Sequence, residues 1–168
     1  ADQFGIKTRV LDLTAQKELA METLGTVTTL TDAAVSNLAP RLRMLTLYAV
    51  AASENRLVAG TGNASEYYMG YFTKWGDGAY DLNPIADLTA TEIFEFLRYL
   101  KAPQSIITKA PSAGLYEGQT DEEDMGVTYA AIDQYIKTGQ ANDHDKAIID
   151  RYHARSEHKR RNPLRYPD

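Results

Sequence analysis

One stretch, Leu57 to Asp81 (LVAGTGNASEYYMGYFTKWGDGAYD), constrains the fold most, because it compresses a strand pattern, a glycine turn, a helix start and a polar loop into one run. Leu57-Val58-Ala59 reads as a short apolar strand. Gly60 and Gly62 then let the backbone turn sharply at its end, the position where open α/β sheets place their ligands. Ala64-Ser65-Glu66 opens a helix, so Glu66 stands in a first turn beside backbone N–H groups that lack helical partners. A carboxylate there either satisfies the helix dipole or holds a cation over a bound phosphate. Phe72 to Asp81 interleaves Lys74, Asp77 and Asp81 with Gly76 and Gly78, which is loop chemistry. The aromatics Tyr67, Tyr68, Tyr71, Phe72 and Trp75 read as core and wall residues before a stacking platform.

The flanking sequence supplies mostly helices. Ile6 to Leu13 alternates loosely and is expected to be a strand. Thr14 to Leu24 is expected to be a helix with Leu19, Ala20 and Thr23 facing inward, and Gly25 to Thr31 is loop or frayed strand. From Asp32 the character changes to a helix with Asn37 and Pro40 at its start. It carries Leu42, Leu45, Ala49 and Ala52 on one face and Met44, Leu47, Val50 and Ala51 on the other. A helix apolar nearly all round is expected to be buried on two sides, within its own core or against a partner subunit. Thr89 to Glu92 is a capping box opening a helix to about Leu100, with Ile93, Phe94, Leu97 and Leu100 at helical spacing and Pro103 as its stop. Ser105 to Lys109 reads as a short extended piece and Ala110 to Gly114 as a turn-rich loop. Thr120 to Glu123 forms a second capping box, whose acidic residues through Asp124 read as helix-start electrostatics before a metal site. Helices then span Thr128 to Thr138, stopped at Gly139, and about Asp143 to Ala154; the tail from Ser156 is basic and proline-punctuated.

Composition closes several classes. A chain of 168 residues is one ordinary domain, and no apolar run approaches the about 20 residues of a membrane span. A net charge of -5 argues against a general nucleic-acid binder, and the one basic cluster, His158-Lys159-Arg160-Arg161, is too short to reverse it. The absence of cysteine fits a reducing compartment, so a cytoplasmic setting is expected. Taken singly, the candidate residues stay ambiguous. Gly60-Thr61-Gly62 is a nucleotide turn or merely a turn; Arg41 and Arg43 are surface charges or a fork for phosphate; His158 with Lys159 is a solvated charge run or closes over an anionic ligand. No G-x-S-x-G, H-E-x-x-H or Walker A signature is present.

In combination, three separated segments carry a resemblance: RLRMLTLYA with VAGTGNASE, then GYFTKWGDGAYDLNPI, then GQTDEEDMGVTY with SEHKRR. From about Asn37 to Arg161 the chain resembles the synthetase part of ammonia-dependent NAD⁺ synthetases. The resemblance implies an α/β fold, the Rossmann-like, adenine nucleotide alpha hydrolase-like parallel sheet flanked by helices, and a homodimer with its dinucleotide site at the subunit interface. It also implies a two-step ligation. The carboxylate of deamido-NAD attacks the α-phosphate of ATP, pyrophosphate leaves, and ammonia displaces AMP to give the amide. By matching position Thr61 and Ser112 would contact ATP, Ser112 standing where the family usually has threonine, and Glu66 would coordinate Mg²⁺. Arg41, Lys74, Asp81, His158 and Lys159 would bind deamido-NAD.

Two departures qualify what the resemblance implies. Where many members carry an ATP-binding lysine, this chain has Ala90, so that contact is missing or supplied elsewhere. The S-G-G-x-D-S pyrophosphate loop is absent from the 168 residues. The expectation is therefore a single domain over 1–168, incomplete at its N-terminus with its first strands missing, and inactive alone. The alternative is a non-catalytic nucleotide-binding or dimerisation module.

Overall fold

The computed structural model describes residues 1–114, 118–163 and 165–166; of the basic tail, Leu164, Pro167 and Asp168 lie outside the described residues. After a 3-10 turn at Asp2–Phe4 come α1 (Thr14–Gly25), α2 (Asp32–Ser53), α3 (Ala64–Met69), α4 (Ala90–Tyr99) and α5 (Gln104–Ile107). They are followed by α6 (Asp121–Met125), α7 (Tyr129–Thr138), α8 (Asp143–Arg155) and α9 (Glu157–Arg160). No helix among the described residues is long and apolar enough to cross a membrane.

The expected sheet is reduced to one contact. Ala59 and Leu82 form a parallel bridge, in which Gly60 N–H donates to Leu82 O at 2.7 Å and Asp81 N–H to Val58 O at 2.9 Å. α3 lies in the connection, as parallel pairing requires a crossover. Among the described residues no further segment pairs with either side, and Leu57 remains 70% exposed. The expected strand at Ile6 to Leu13 is corrected likewise: it has no ladder, Val10 is 92% exposed, and the segment is held by the Arg9–Glu54 ion pair. An alternating pattern becomes a strand only where a neighbour takes up its N–H and C=O groups.

Other corrections concern the helices. In α1, Leu19 is 63% exposed and Thr23 is exposed; Lys17, Ala20 and Met21 are the half-buried residues. α2 starts at Asp32, capped by the Thr31 hydroxyl, which accepts from Ala34 N–H, so Pro40 sits inside the helix. Only Pro40 and Ala51 of α2 are buried, while Leu45 and Leu47 stand 68% and 51% exposed, so burial on two sides is not met. Ser105 to Lys109 is not extended. Pro103 takes the N-cap position of α5, and α4 has already ended at Leu100, followed by Lys101 at φ 54°.

The buried core lies in the second half of the chain. Met69 of α3, Ala90 of α4, Met125 of α6, Val127, Tyr129 and Ile132 of α7 and Ile149 of α8 form one cluster, with Met69, Ile132 and Ile149 fully enclosed. Each such side chain contributes roughly 1.5–3 kcal/mol. α3 is thus anchored through Met69 at its C-terminal end.

Candidate functional site

The first turn of α3 is defined by a reciprocal capping box. Asn63 Oδ1 accepts from Glu66 N–H at 3.0 Å, and Glu66 Oε2 accepts from Asn63 N–H at 2.8 Å. Glu66 Oε1 takes no hydrogen bond among the described residues. Its carboxyl is pushed up to about 7, chiefly by burial, with the charges of Asp121 and Asp77 adding to the effect and the Asn63 N–H opposing it. A half-buried carboxylate among other carboxylates is a position that gains from a cation.

Below Glu66, Ser65 is fully buried and anchors a network that the sequence did not announce. The Ser65 hydroxyl donates to Asp133 of α7 and accepts from Ala90 N–H at 2.9 Å, while Asp133 Oδ2 accepts from Thr91 N–H at 2.8 Å. Asp133 is itself buried. One carboxylate therefore ties the first turns of α3 and α4 together. No local spacing links residues 65 and 133; the only sequence signal is an acidic residue beside Ile132 on the apolar face of α7.

Three neighbouring cavities surround this turn. The first, of about 280 Å³, is lined by Thr61, Glu66, Ala90, Lys109 and Ser112 against an apolar wall that includes Phe94 and Ile106. Its outer loop is pinned from α6: Asp121 Oδ1 accepts from Ala113 N–H at 2.9 Å and Asp121 N–H donates to Pro111 O at 3.0 Å. The Tyr129 hydroxyl also donates to Asp121, at 3.0 Å, and burial first, then the charges of Asp121 and Glu66, keeps that phenol protonated. The acidic run thus does more than start α6: Asp121 positions the loop, Glu122 accepts from Tyr129 N–H at 2.7 Å, and Asp124 accepts from the Tyr71 hydroxyl at 3.0 Å. No group of three or more metal-ligating side chains occurs among the described residues.

The second cavity, about 690 Å³, is lined by Arg43, Thr61, Asp77, Arg155, His158 and Lys159 among others. The third, about 240 Å³, shares Glu66 and Asn63 with the first cavity and Asp77, Phe72 and Lys159 with the second. Thr61 lines both larger cavities.

The loop after α3 docks on one face of α2. The Thr73 hydroxyl donates to Asn37 at 2.6 Å, Arg41 donates to Lys74 O at 3.3 Å, and the Tyr48 hydroxyl reaches Asp81 at 3.4 Å. Lys74 in turn donates to His158 O at 2.6 Å. Arg41, Lys74 and His158 are thereby brought into one chain of contacts. Asp81 stands apart, accepting from Val58 N–H at 2.7 Å beside the parallel bridge. The basic tail is a clamp more than a solvated run. Lys159 donates to Gly70 O at 2.7 Å and Phe72 O at 2.6 Å, Arg160 donates to Tyr68 O at 3.2 Å, and burial holds the Lys159 ammonium below the usual lysine value.

The structure thus gathers Thr61, Ser112 and Glu66 around one cavity, sets His158 and Lys159 on the next, and leaves Arg41 and Lys74 along the α2 edge. Comparison with known proteins bears on this arrangement. The model of the family NAD synthase matches residues 1–163. The chain is 58% identical over 130 residues to the NH3-dependent NAD+ synthetase of Carboxydothermus hydrogenoformans, covering 77% of this chain and 54% of that protein. It is 52% identical over 125 residues to the enzyme of the same name from Alkaliphilus metalliredigens, covering 74% and 51%. The chain spans about half the length of these curated relatives. A solved structure described as NMN synthetase from Francisella tularensis superposes with a TM-score of 0.94 at 41% identity, over 98% of this chain and 68% of that one. With the family model matching 1–163 of its 168 residues, the chain belongs to the NAD synthase family.

Proposed function

We propose that this chain forms the part of an ammonia-dependent ligase in which ATP and a deamido nicotinate nucleotide meet, giving the amide, AMP and pyrophosphate. The observation that carries the reading is the convergence of Thr61 and Glu66 from one segment and Ser112 from another on one cavity, with Thr61 shared by the cavity of His158 and Lys159. A carboxylate is a poor acylating group. Adenylation converts it to a mixed anhydride, so the protein's tasks are to align two anionic reactants and to neutralise phosphate charge. The Thr61 and Ser112 hydroxyls donate to phosphate oxygens of ATP. Arg41, Lys74, His158 and Lys159 supply positive charge to the dinucleotide, and the Asp81 carboxylate would favour its pyridinium ring by charge.

Magnesium fits Glu66. Mg²⁺ is held by one or two carboxylates with substrate phosphates and water, and Glu66 offers one half-buried carboxylate with a free oxygen. Held there, it would supply positive charge against the phosphates. A homodimer joined over the Leu45 side of α2, where Leu45 is exposed, fits the family, and dependence on ATP supports a cytoplasmic setting.

A second reading has its own support: the superposing Francisella tularensis protein is described as an NMN synthetase, so nicotinate mononucleotide replaces deamido-NAD as the substrate. Both are tested by joining this chain to the N-terminal part of the Carboxydothermus hydrogenoformans relative and following amide and AMP from each nucleotide with ATP, ammonia and Mg²⁺. Equal yields of amide and AMP are expected, with the rate falling at least ~10²-fold in Glu66→Ala. AMP without amide, or undiminished turnover in the variant at limiting Mg²⁺, contradicts the proposal.

A further inference from the structure

Lys109 enters neither the sequence-derived site nor the core, yet it is the one cation in the lining of the cavity that Thr61, Glu66 and Ser112 share, among the described residues. The other polar members of that lining bring no positive charge: Asn63 is neutral, the Tyr129 phenol is protonated, and Ala90 has no polar side chain. The remaining wall is apolar, with Ile85, Ile93, Phe94, Leu97 and Ile106. Such a cavity suits a ligand with one flat apolar part and one anionic part, and only one residue of its lining can answer the anion with charge.

The state of that ammonium separates it from the other candidate cations. Lys159 is engaged by two carbonyls, Lys74 by His158 O and Arg41 by Lys74 O. The Lys109 ammonium has no hydrogen bond or ion pair among the described residues, although its backbone is placed. Lys109 N–H donates to Ile106 O at 3.4 Å at the end of α5, and Pro111 and Ala113 just beyond are fixed to Asp121. Lys109 is also three residues from Ser112, so the same pinned loop delivers a cation and a hydroxyl to one cavity.

We propose that Lys109 binds the phosphate chain of ATP and fixes its position against Ser112 and Thr61. This rests on the ATP reading of the cavity and adds to it the cation that the cavity otherwise lacks. In the reaction, Lys109 holds phosphate charge in place while pyrophosphate departs; it neither gives nor takes a proton. Loss of a charged hydrogen bond at such a site weakens binding by at least about tenfold.

The test uses this chain and a lysine-reactive acyl phosphate of ATP, whose acyl carbon is attacked by an amine near the phosphates, releasing ATP and leaving an amide on that lysine. Peptide mass spectrometry then reads which lysines are acylated and which are protected by excess ATP. ATP-protected acylation of Lys109 is expected, together with an at least tenfold weaker protection of the remaining sites in Lys109→Ala and partial recovery in Lys109→Arg. Protected acylation of Lys74 or Lys159 with Lys109 unmodified overturns the assignment while leaving a nucleotide site in the chain. Absence of any ATP-protected lysine overturns both the assignment and the ATP reading beneath it.

Discussion

Glu66 shows how one carboxylate is held for two purposes. Oε2 closes the capping box with Asn63, while burial and the nearby Asp121 and Asp77 lift its pKa from 4.5 to about 7. Because the folded value lies above the unfolded one, the folded chain keeps a proton that the unfolded chain has lost between them. The corresponding stability is fully present below about pH 4.5 and is lost as pH rises through about 7, at up to about 1.4 kcal/mol per pH unit. In metal-free buffer, urea midpoints measured across that window should therefore decline for this chain and stay nearly level for Glu66→Gln. Parallel declines in both proteins would show that other groups set the trend. At the same scale the basic tail changes character: Lys159 and Arg160 donate to carbonyls at and just after the end of α3, so Lys159→Ala is expected to lower the melting temperature whereas Arg41→Ala, exposed and hydrogen-bonded among the described residues to Lys74 O alone, is expected to leave it unchanged. Equal melting temperatures for the two variants would remove the clamp.

Among the elements, α3 is the piece on which the site depends, and its ends explain what the sequence could disclose. Its C-terminus turns at Gly70 with φ 65°, where an added Cβ would collide with the Ser156 side chain at the end of α8. Gly70→Ala should cost more than about 2 kcal/mol, the left-handed conformation alone accounting for 1–2 of them, and an unchanged denaturation midpoint would mean that the α3–α8 junction yields freely. Local chemistry was legible wherever partners are near in sequence. The capping box at Thr89, the stop at Gly139 and the apolar face of α7 form as their spacing requires, while at Thr120 only half of the expected box forms: the hydroxyl accepts from Glu123 N–H, and the Glu123 carboxylate takes the Thr120 hydroxyl instead of the backbone N–H. Thr61, Glu66 and Ser112, named through the resemblance, line one cavity. Long-range partners were not legible. Ser65 and Asp133 are joined only by packing, the strand pattern of Ile6 to Leu13 finds no neighbour, and Pro103, read as a stop, instead begins α5. Lys109 carries no local signal either: only the fold of α5 and the loop after it sets it on the cavity of Ser112.

Across the whole molecule the burial is uneven, with the enclosed core confined to α3, α4, α6, α7 and α8 while the first third exposes Val10, Leu19, Val27, Leu45 and Leu57. Exposed apolar residues in this number offer surface for a further contact. The cavity of Thr61 and Ser112 offers two hydroxyls and one ammonium against the several negative charges of ATP, and the sequence holds no S-G-G-x-D-S loop to cradle pyrophosphate on backbone N–H groups. Residues 1–168 alone are therefore expected to release no AMP from ATP, deamido-NAD and ammonia, and robust turnover would mean that another segment replaces that loop. The central claim is the location of the nucleotide, and it is tested most directly by a crystal structure of this chain with ATP and Mg²⁺. The account predicts phosphate density within hydrogen-bond reach of Thr61, Ser112 and Lys109, with a metal at Glu66. Density for ATP in the cavity of Arg43, Arg155 and His158, with the cavity beside Ser112 empty, would contradict it.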